Sequence, residues 1–368
     1  MKTTGLLACF LLTGVLLSAQ VMRSLPASGG NLKSAVSQRI GVTDIEIHWD
    51  APGVKGREGA IWGTTVAHYG FMDLGFGTAK QAPWRAGANE NTTISFSTDV
   101  MVEGKPLAAG VYGFFVALYP DSCVLIFSKT STSWGSYFYD PAQDALRVTV
   151  RQQKNQPNLR EWLGYEFFDQ KENGTSIALV WERWRIPFRV EFDLNKTVVE
   201  ALRQDMANSP GFYEQNLNAA ASFCLQHNCN LEEALGWADR AIQNAPNFAN
   251  YRLKADILTK LGRKAEAEKT MSDAMEHASV LDLHQYGRQL IAEKNPQKAL
   301  EVFELNHKKN GDAWPIHVGL ARGYSANGDL KKALEHAKIA QQQAPDEINR
   351  KSLENMVKQL SEGKPLAQ

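Results

Sequence analysis

Four alanines, Ala234, Ala267, Ala299 and Ala333, recur at spacings of 33, 32 and 34 residues, and no other feature restricts the fold of this 368-residue chain so narrowly. A period of that length marks stacked supersecondary units, each too small to bury its apolar face alone. Seven residues beyond each anchor stands Ala241, Ala274, Asn306 or Ala340, and Pro246 and Pro345 follow five residues later in two of the units. Small side chains at these offsets let paired helices approach closely, and the prolines stop the second helix of a pair. The spacing predicts an all-α solenoid over residues 211–346, closed by a polar helix and tail in residues 347–368.

The last unit carries Leu320, Ala321, Tyr324, Gly328, Ala333, Ala337, Ala340 and Pro345, with a Gly-Asp-Leu-Lys-Lys-Ala-Leu turn, and it resembles a tetratricopeptide repeat. The resemblance covers roughly residues 215 to 345. Three units are clear and one, around Gln285 to Asn310, is weaker because Asn306 replaces a small apolar residue. It implies a groove or rim that binds a peptide or a protein. The alternative is an array that only extends or dimerises the chain, or that docks on the domain before it.

Upstream, the apolar period changes from 3.6 to 2. Asp44 to Trp49 puts Ile45, Ile47 and Trp49 on one face. Further strand signals lie at Thr93 to Val102, Tyr112 to Tyr119, Cys123 to Phe127, Ala145 to Arg151, Tyr165 to Phe168, Ser176 to Trp184 and Phe188 to Phe192. Short strands without intervening helices predict an all-β sandwich or barrel-like domain over residues 37–194. A connecting helix and linker are expected in residues 195–210, with Asn208-Ser209-Pro210-Gly211 as the boundary. The glycine-rich stretch from Arg57 to Gly87 reads as one long loop, a place where function concentrates.

Lys2, an apolar run from Gly5 to Leu17 and the small residues Ser18 and Ala19 form a signal-peptide pattern, with cleavage expected after Ala19 and a leader over residues 20–36. The run is about 13 residues, short of the roughly 20 that span a bilayer, so a transmembrane segment is not expected. Export to a periplasmic or extracellular location is the expectation. Lys plus Arg equals Asp plus Glu at 40 each, and the balance holds on both sides of residue 210. Such evenness gives no electrostatic footprint for nucleic acid. Cys123, Cys224 and Cys229 lie beyond the expected cleavage point; buried free thiols are the preferred reading, and a Cys224–Cys229 bridge stays open.

Three segments of the β-rich part are specific: Ala51-Pro52-Gly53-Val54-Lys55-Gly56-Arg57, Trp84-Arg85-Ala86-Gly87-Ala88-Asn89-Glu90-Asn91-Thr92-Thr93, and Ala109-Gly110-Val111-Tyr112-Gly113-Phe114-Phe115. Together they resemble the secreted family known as domain of unknown function 2911, and Trp134-Gly135 and Trp181-Glu182 fit it too. The match runs from about Ser37 to Asp193 and implies no biochemical activity. Phe71 to Pro83 are extra relative to that family's pattern, so a pocket floored by this loop need not keep the family's form.

Read for chemistry, Arg57, Arg85, Asn89 and Glu90 fall in loops bounded by Trp62, Trp84 and Trp134, with Tyr112 nearby in sequence pattern. They could line a cleft for a small polar, anionic or carbohydrate ligand. The plainer assignment pairs Arg85 with Glu90 or Glu182, gives Asn89 a turn and makes Tyr112 a corner residue. A catalytic alternative uses Glu90 with Asp50 or Glu182 as an acid/base pair on a glycoside. His48 and His68 in the β-rich part show no metal spacing, the cysteines offer no zinc pattern, and no nucleophile elbow or phosphate loop appears, so neither a cofactor nor a metal is expected. The chain therefore reads as an exported binding protein, with a hydrolytic enzyme as the second reading.

Overall fold

A computed structural model describes residues 30–366. The signal-peptide pattern and cleavage point lie outside the described residues. The chain divides into two compact units at Val198/Val199, inside a helix. Among the described residues no helix is long and apolar enough to cross a membrane.

The first unit is a sandwich of two antiparallel sheets. Its strands are β1 (Leu32–Ile40), β2 (Thr43–Ala51), β3 (Ala88–Phe96), β4 (Val100–Val102), β5 (Lys105–Leu107), β6 (Gly110–Leu118), β7 (Cys123–Ser128), β8 (Asp144–Val150), β9 (Arg160–Lys171), β10 (Gly174–Glu182) and β11 (Trp184–Glu191). One sheet has the order β1-β2-β3-β6-β7-β8 and the other β5-β4-β11-β10-β9. The edges β1 and β9 meet on one side and β5 and β8 on the other, which nearly closes the sandwich. Ile45, Ile47 and Trp49 face inward as the alternation predicts, against Phe114, Phe127, Tyr165 and Phe188.

Three differences from the sequence reading have physical causes. Strand β1 starts at Leu32, inside the stretch assigned to a leader, because it is an edge strand whose residues are mostly exposed and carry no apolar alternation. The single strand expected over Thr93 to Val102 is broken at Ser97-Thr98-Asp99, where the chain crosses from one sheet to the other. There Ser97 N–H donates to Asp44 O and the Asp99 carboxylate accepts from Ala109 N–H. The stretch Ser176 to Trp184 folds back at Glu182-Arg183, pairing Trp181 with Trp184. That turn holds no Gly, Pro or Asn; instead Glu182 takes a φ of 52°, a left-handed conformation that its sequence does not announce.

The stretch from Phe71 to Ala82 is packed. Phe71, Leu74, Ala79 and Ala82 cover the outer face of β6 and β7 through Phe115, Ala117, Ile126 and Tyr139. This cover explains why Phe114 to Leu118 are buried without alternation. Gly77, at φ 69°, lies so close to the chain that a Cβ would come 2.1 Å from the Tyr137 carbonyl oxygen.

Ten helices follow among the described residues: α1 (Leu194–Met206), α2 (Glu214–His227), α3 (Leu231–Asn244), α4 (Phe248–Lys260), α5 (Lys264–His277), α6 (Val280–Ala292), α7 (Pro296–Asn310), α8 (Trp314–Ala326), α9 (Leu330–Gln342) and α10 (Glu347–Ser361). Four hairpins, α2/α3, α4/α5, α6/α7 and α8/α9, stack into a solenoid, and α10 closes it on α9. Caps at Asn247, Ser279, Asn295, Asp329 and Asp346 start the helices by accepting from backbone N–H groups in the first turn. The anchors Ala234, Ala267, Ala299 and Ala333 all sit in the second helix of a hairpin, buried.

The α6/α7 hairpin, read as the weak unit, is complete. Asn306 is buried there because its amide has partners: Nδ2 donates to Val280 O at 3.0 Å, and Oδ1 accepts from Asn310 Nδ2 at 2.8 Å. Phe303 lies on three glycines from two neighbouring helices. A Cβ on Gly287, Gly319 or Gly323 would come 2.4, 2.6 or 2.8 Å from its ring.

Candidate functional site

Each residue of the β-rich cluster is drawn to its own neighbours. Arg57 folds over its own turn, donating from Nη2 to Gly53 O at 2.7 Å and from Nε to Val54 O at 3.1 Å. Arg85 donates from Nη1 to Asn89 O at 2.7 Å and lies over the Tyr137 ring at 4.8 Å. Its guanidinium covers Gly135, where a Cβ would come 2.3 Å from it. Asn89 holds a φ of 54°, and its Oδ1 accepts from Asn31. Tyr112 donates to Ala108 O at 2.8 Å and ties the corner before its strand. Trp134 is half exposed, and Trp84 is buried.

Glu90 and Glu182 belong to separate clefts, one of about 270 Å³ beside His48 and Trp49 and one of about 330 Å³ beside Arg160 and Arg185. Glu90 is instead close to Asp50, with Lys33 between them: Nζ is 2.5 Å from Glu90 Oε2 and 3.4 Å from Asp50 Oδ1. Burial, reinforced by a hydrogen bond shared with Glu90, pushes the Asp50 carboxyl up. The same bond and Lys33 pull Glu90 down. Lys33 Nζ thus pairs with both carboxylates from one position, closer to Glu90 than to Asp50. Arg57, Arg85 and Glu90 do not converge.

Glu182 is a structural acceptor. It is 5% exposed, and takes Gly59 N–H at 2.9 Å on Oε1 and the Trp62 indole N–H at 2.8 Å on Oε2. Those bonds fix the start of the glycine-rich stretch against four tryptophans. Trp62 stacks on Trp184 at 4.4 Å and meets Trp84 and Trp181 edge-on, while Trp84 and Trp181 lie parallel at 6.1 Å. The motif segments that carry the family resemblance thus build turns and core. Ala86, at φ 51°, receives Tyr165 Oη at 2.8 Å and Thr92 Oγ1 at 3.2 Å on its carbonyl.

His68 is buried beside this region with its Nδ1 unpartnered, and burial lowers its pKa, with Arg85 adding to the effect. A histidine whose folded pKa lies below its unfolded value supports folding above about pH 6.5 and withdraws that support as pH falls and the unfolded chain takes the proton first. The β-rich unit is expected to lose stability between about pH 6.5 and 5, and His68→Gln to flatten that loss. Urea melts by tryptophan fluorescence at the two pH values check this. All three described thiols are free; burial pushes Cys123 up to about 12, and burial with Cys229 alongside does the same to Cys224.

The groove that the repeat resemblance implied has lining residues that the sequence reading did not name. The first helices of successive hairpins, α4, α6 and α8, run side by side and enclose two adjoining clefts of about 310 and 450 Å³ that share Gln285. The larger is walled by Arg288, Gln289, Arg322, Ser325 and Leu366. Arg252, in the smaller, donates to Gln289 at 2.6 Å, lies over Tyr286 and is 3.9 Å from Asp256. Among the described residues Arg288 and Arg322 have no carboxylate in ion-pair distance, and Arg322 Nε is buried without a partner. Burial and the nearby charge of Arg288 lower Arg322, the mark of a cation lacking a counter-charge. A signal was available: Arg288 and Arg322 stand 34 residues apart, one repeat.

Comparison with curated proteins gives no match. Solved structures similar to part of the chain include the C-terminal part of a TPR repeat-containing protein from Cytophaga hutchinsonii (14% identity, 46% of this chain and 67% of that one, TM-score 0.32). A thermophilic TPR protein from Thermus thermophilus matches at 17% identity over 45% of this chain and 91% of that one, TM-score 0.28. A tetratricopeptide repeat protein from Parabacteroides merdae matches at 17% identity over 44% and 67%, TM-score 0.28. Residues 32–190 match the family model described as "Protein of unknown function (DUF2911)". The β-sandwich thus resembles the DUF2911 family over residues 32–190, and the helical unit is an array of stacked helix hairpins that repeat every 32–34 residues.

Proposed function

We propose that this chain is an exported interaction protein whose helical array grips a protein partner by an acidic segment. One observation carries the reading: two arginines, Arg288 and Arg322, one repeat apart, wall a cleft of about 450 Å³ with no side-chain carboxylate in ion-pair distance among the described residues. Two unneutralised guanidinium groups in one partly desolvated cleft repel each other, and a carboxylate placed between them removes that cost and gains charge-assisted hydrogen bonds. The adjoining cleft adds Arg252, Leu253 and Tyr286, so an extended segment has both charged and apolar surface to lie on. Export rests on the apolar run Gly5 to Leu17 and the small residues before Gln20.

The test is co-purification from the source cell envelope with the wild-type chain and with an Arg288→Glu/Arg322→Glu variant. Charge reversal at a two-arginine site is expected to weaken capture of an acidic partner at least tenfold. Identical partner lists for the two proteins would sink the assignment. Sequencing the N-terminus of the secreted protein checks export, with a start near Gln20 as the expected result.

A further inference from the structure

We propose that His307, Asp312 and His317 form a binding site for a zinc-class divalent transition metal at the turn joining α7 to α8. One donor atom from each of the three lies within 4.8 Å of the others. Asp312 Oδ1 is 2.5 Å from His307 Nε2 and 3.6 Å from His317 Nε2. Ligands at about 2.0–2.1 Å from a tetrahedral zinc stand about 3.3 Å apart. The Asp312–His317 separation already meets that spacing. The shorter His307–Asp312 contact has to open slightly, and both of those side chains lie on the surface and can move. Two imidazoles and a carboxylate suit zinc better than calcium or magnesium, which take oxygen ligands.

The third ligand is the one that the fold fixes. His317 is 3% exposed, and its ring lies against His336 at 5.2 Å, with the two Nδ1 atoms 2.9 Å apart. His336 in turn lies parallel to Tyr324 at 5.5 Å. If Nε2 of His317 binds the metal, its proton sits on Nδ1 and donates to His336 Nδ1, which fixes the tautomer at both rings. Asp312 faces solvent, so the fourth position is open to water. The ligands come from the last turn of α7, the connecting loop and the first turn of α8; a bound ion would tie two successive repeats together.

The test uses the untagged full-length chain, stripped with a chelator and dialysed against zinc, with cobalt as the spectroscopic substitute. One zinc per chain at micromolar affinity or tighter is expected, together with a tetrahedral cobalt spectrum. His307→Gln and Asp312→Asn change surface side chains, and each is expected to weaken zinc at least tenfold with the far-UV circular dichroism unchanged. His336→Gln removes no ligand and is expected to weaken zinc by about 10–100-fold through loss of the tautomer lock. A wild-type chain that retains no zinc, or zinc binding that survives both ligand variants unchanged, overturns the assignment.

Discussion

Replacing Phe303 by alanine is expected to cost the helical unit about 3–5 kcal/mol. Its side chain is fully buried, and its ring rests on Gly287 of α6 and on Gly319 and Gly323 of α8. Removing it leaves a void between two repeats, and glycines have no side chains that could relax into it. The complementary change, Gly287→Ala, puts a methyl group about where the ring stands, and overpacking of this kind costs about 1–3 kcal/mol. Combined with Phe303→Leu, that methyl gains room, so the double variant should be less destabilised than the sum of the two single changes. Urea unfolding followed at the helical circular-dichroism band measures each value; a loss below about 1 kcal/mol for Phe303→Ala would show that the array does not depend on this contact.

Trp181→Ala is the counterpart in the sandwich, with an expected loss of about 3–5 kcal/mol. Trp181 is fully buried between Trp62 and Trp84, and its indole N–H has no partner. The cost is therefore one of packing, and Trp181→Phe, which also removes the unpaired donor, should cost clearly less. Because Glu182 follows directly and holds Gly59 and Trp62, loss of the neighbouring ring also loosens the start of the glycine-rich stretch. Of the nine tryptophans only Trp237 and Trp314 lie beyond residue 199, so fluorescence reports mainly on the sandwich while circular dichroism follows the helices. With two units present, each transition has to be fitted by itself.

Legibility in the sequence followed the range of the interactions. The helical period, the prolines after Asn244 and Gln342, and the alternation in β2 are local, and each predicted its element. Strand β1 was silent because an edge strand with exposed residues needs no apolar pattern. The Glu182 turn was silent because the bonds that hold it come from residues 59 and 62, far away in the chain. Asn306 looked like a defect, since the carbonyl that satisfies its amide belongs to Val280 in the preceding helix.

The partners of the β-rich candidate residues were hidden for a related reason. Arg57, Arg85, Asn89 and Glu90 are the residue types of a binding cleft, but a guanidinium that binds backbone carbonyls and one that waits for a ligand look the same in a sequence. Repeat period and alternation determined the two-part architecture, an all-β first unit and the stacked helical hairpins, because those depend on patterns repeated along the chain; the choice of sandwich over barrel came from the two-sheet topology. The tertiary structure alone decided which charges are satisfied. It closed Arg57 on its own turn and Arg85 on Asn89. It left Arg288 and Arg322 facing one cleft without a carboxylate partner among the described residues and brought two imidazoles and a carboxylate, His307, His317 and Asp312, together at one turn, since pairing depends on distances in space.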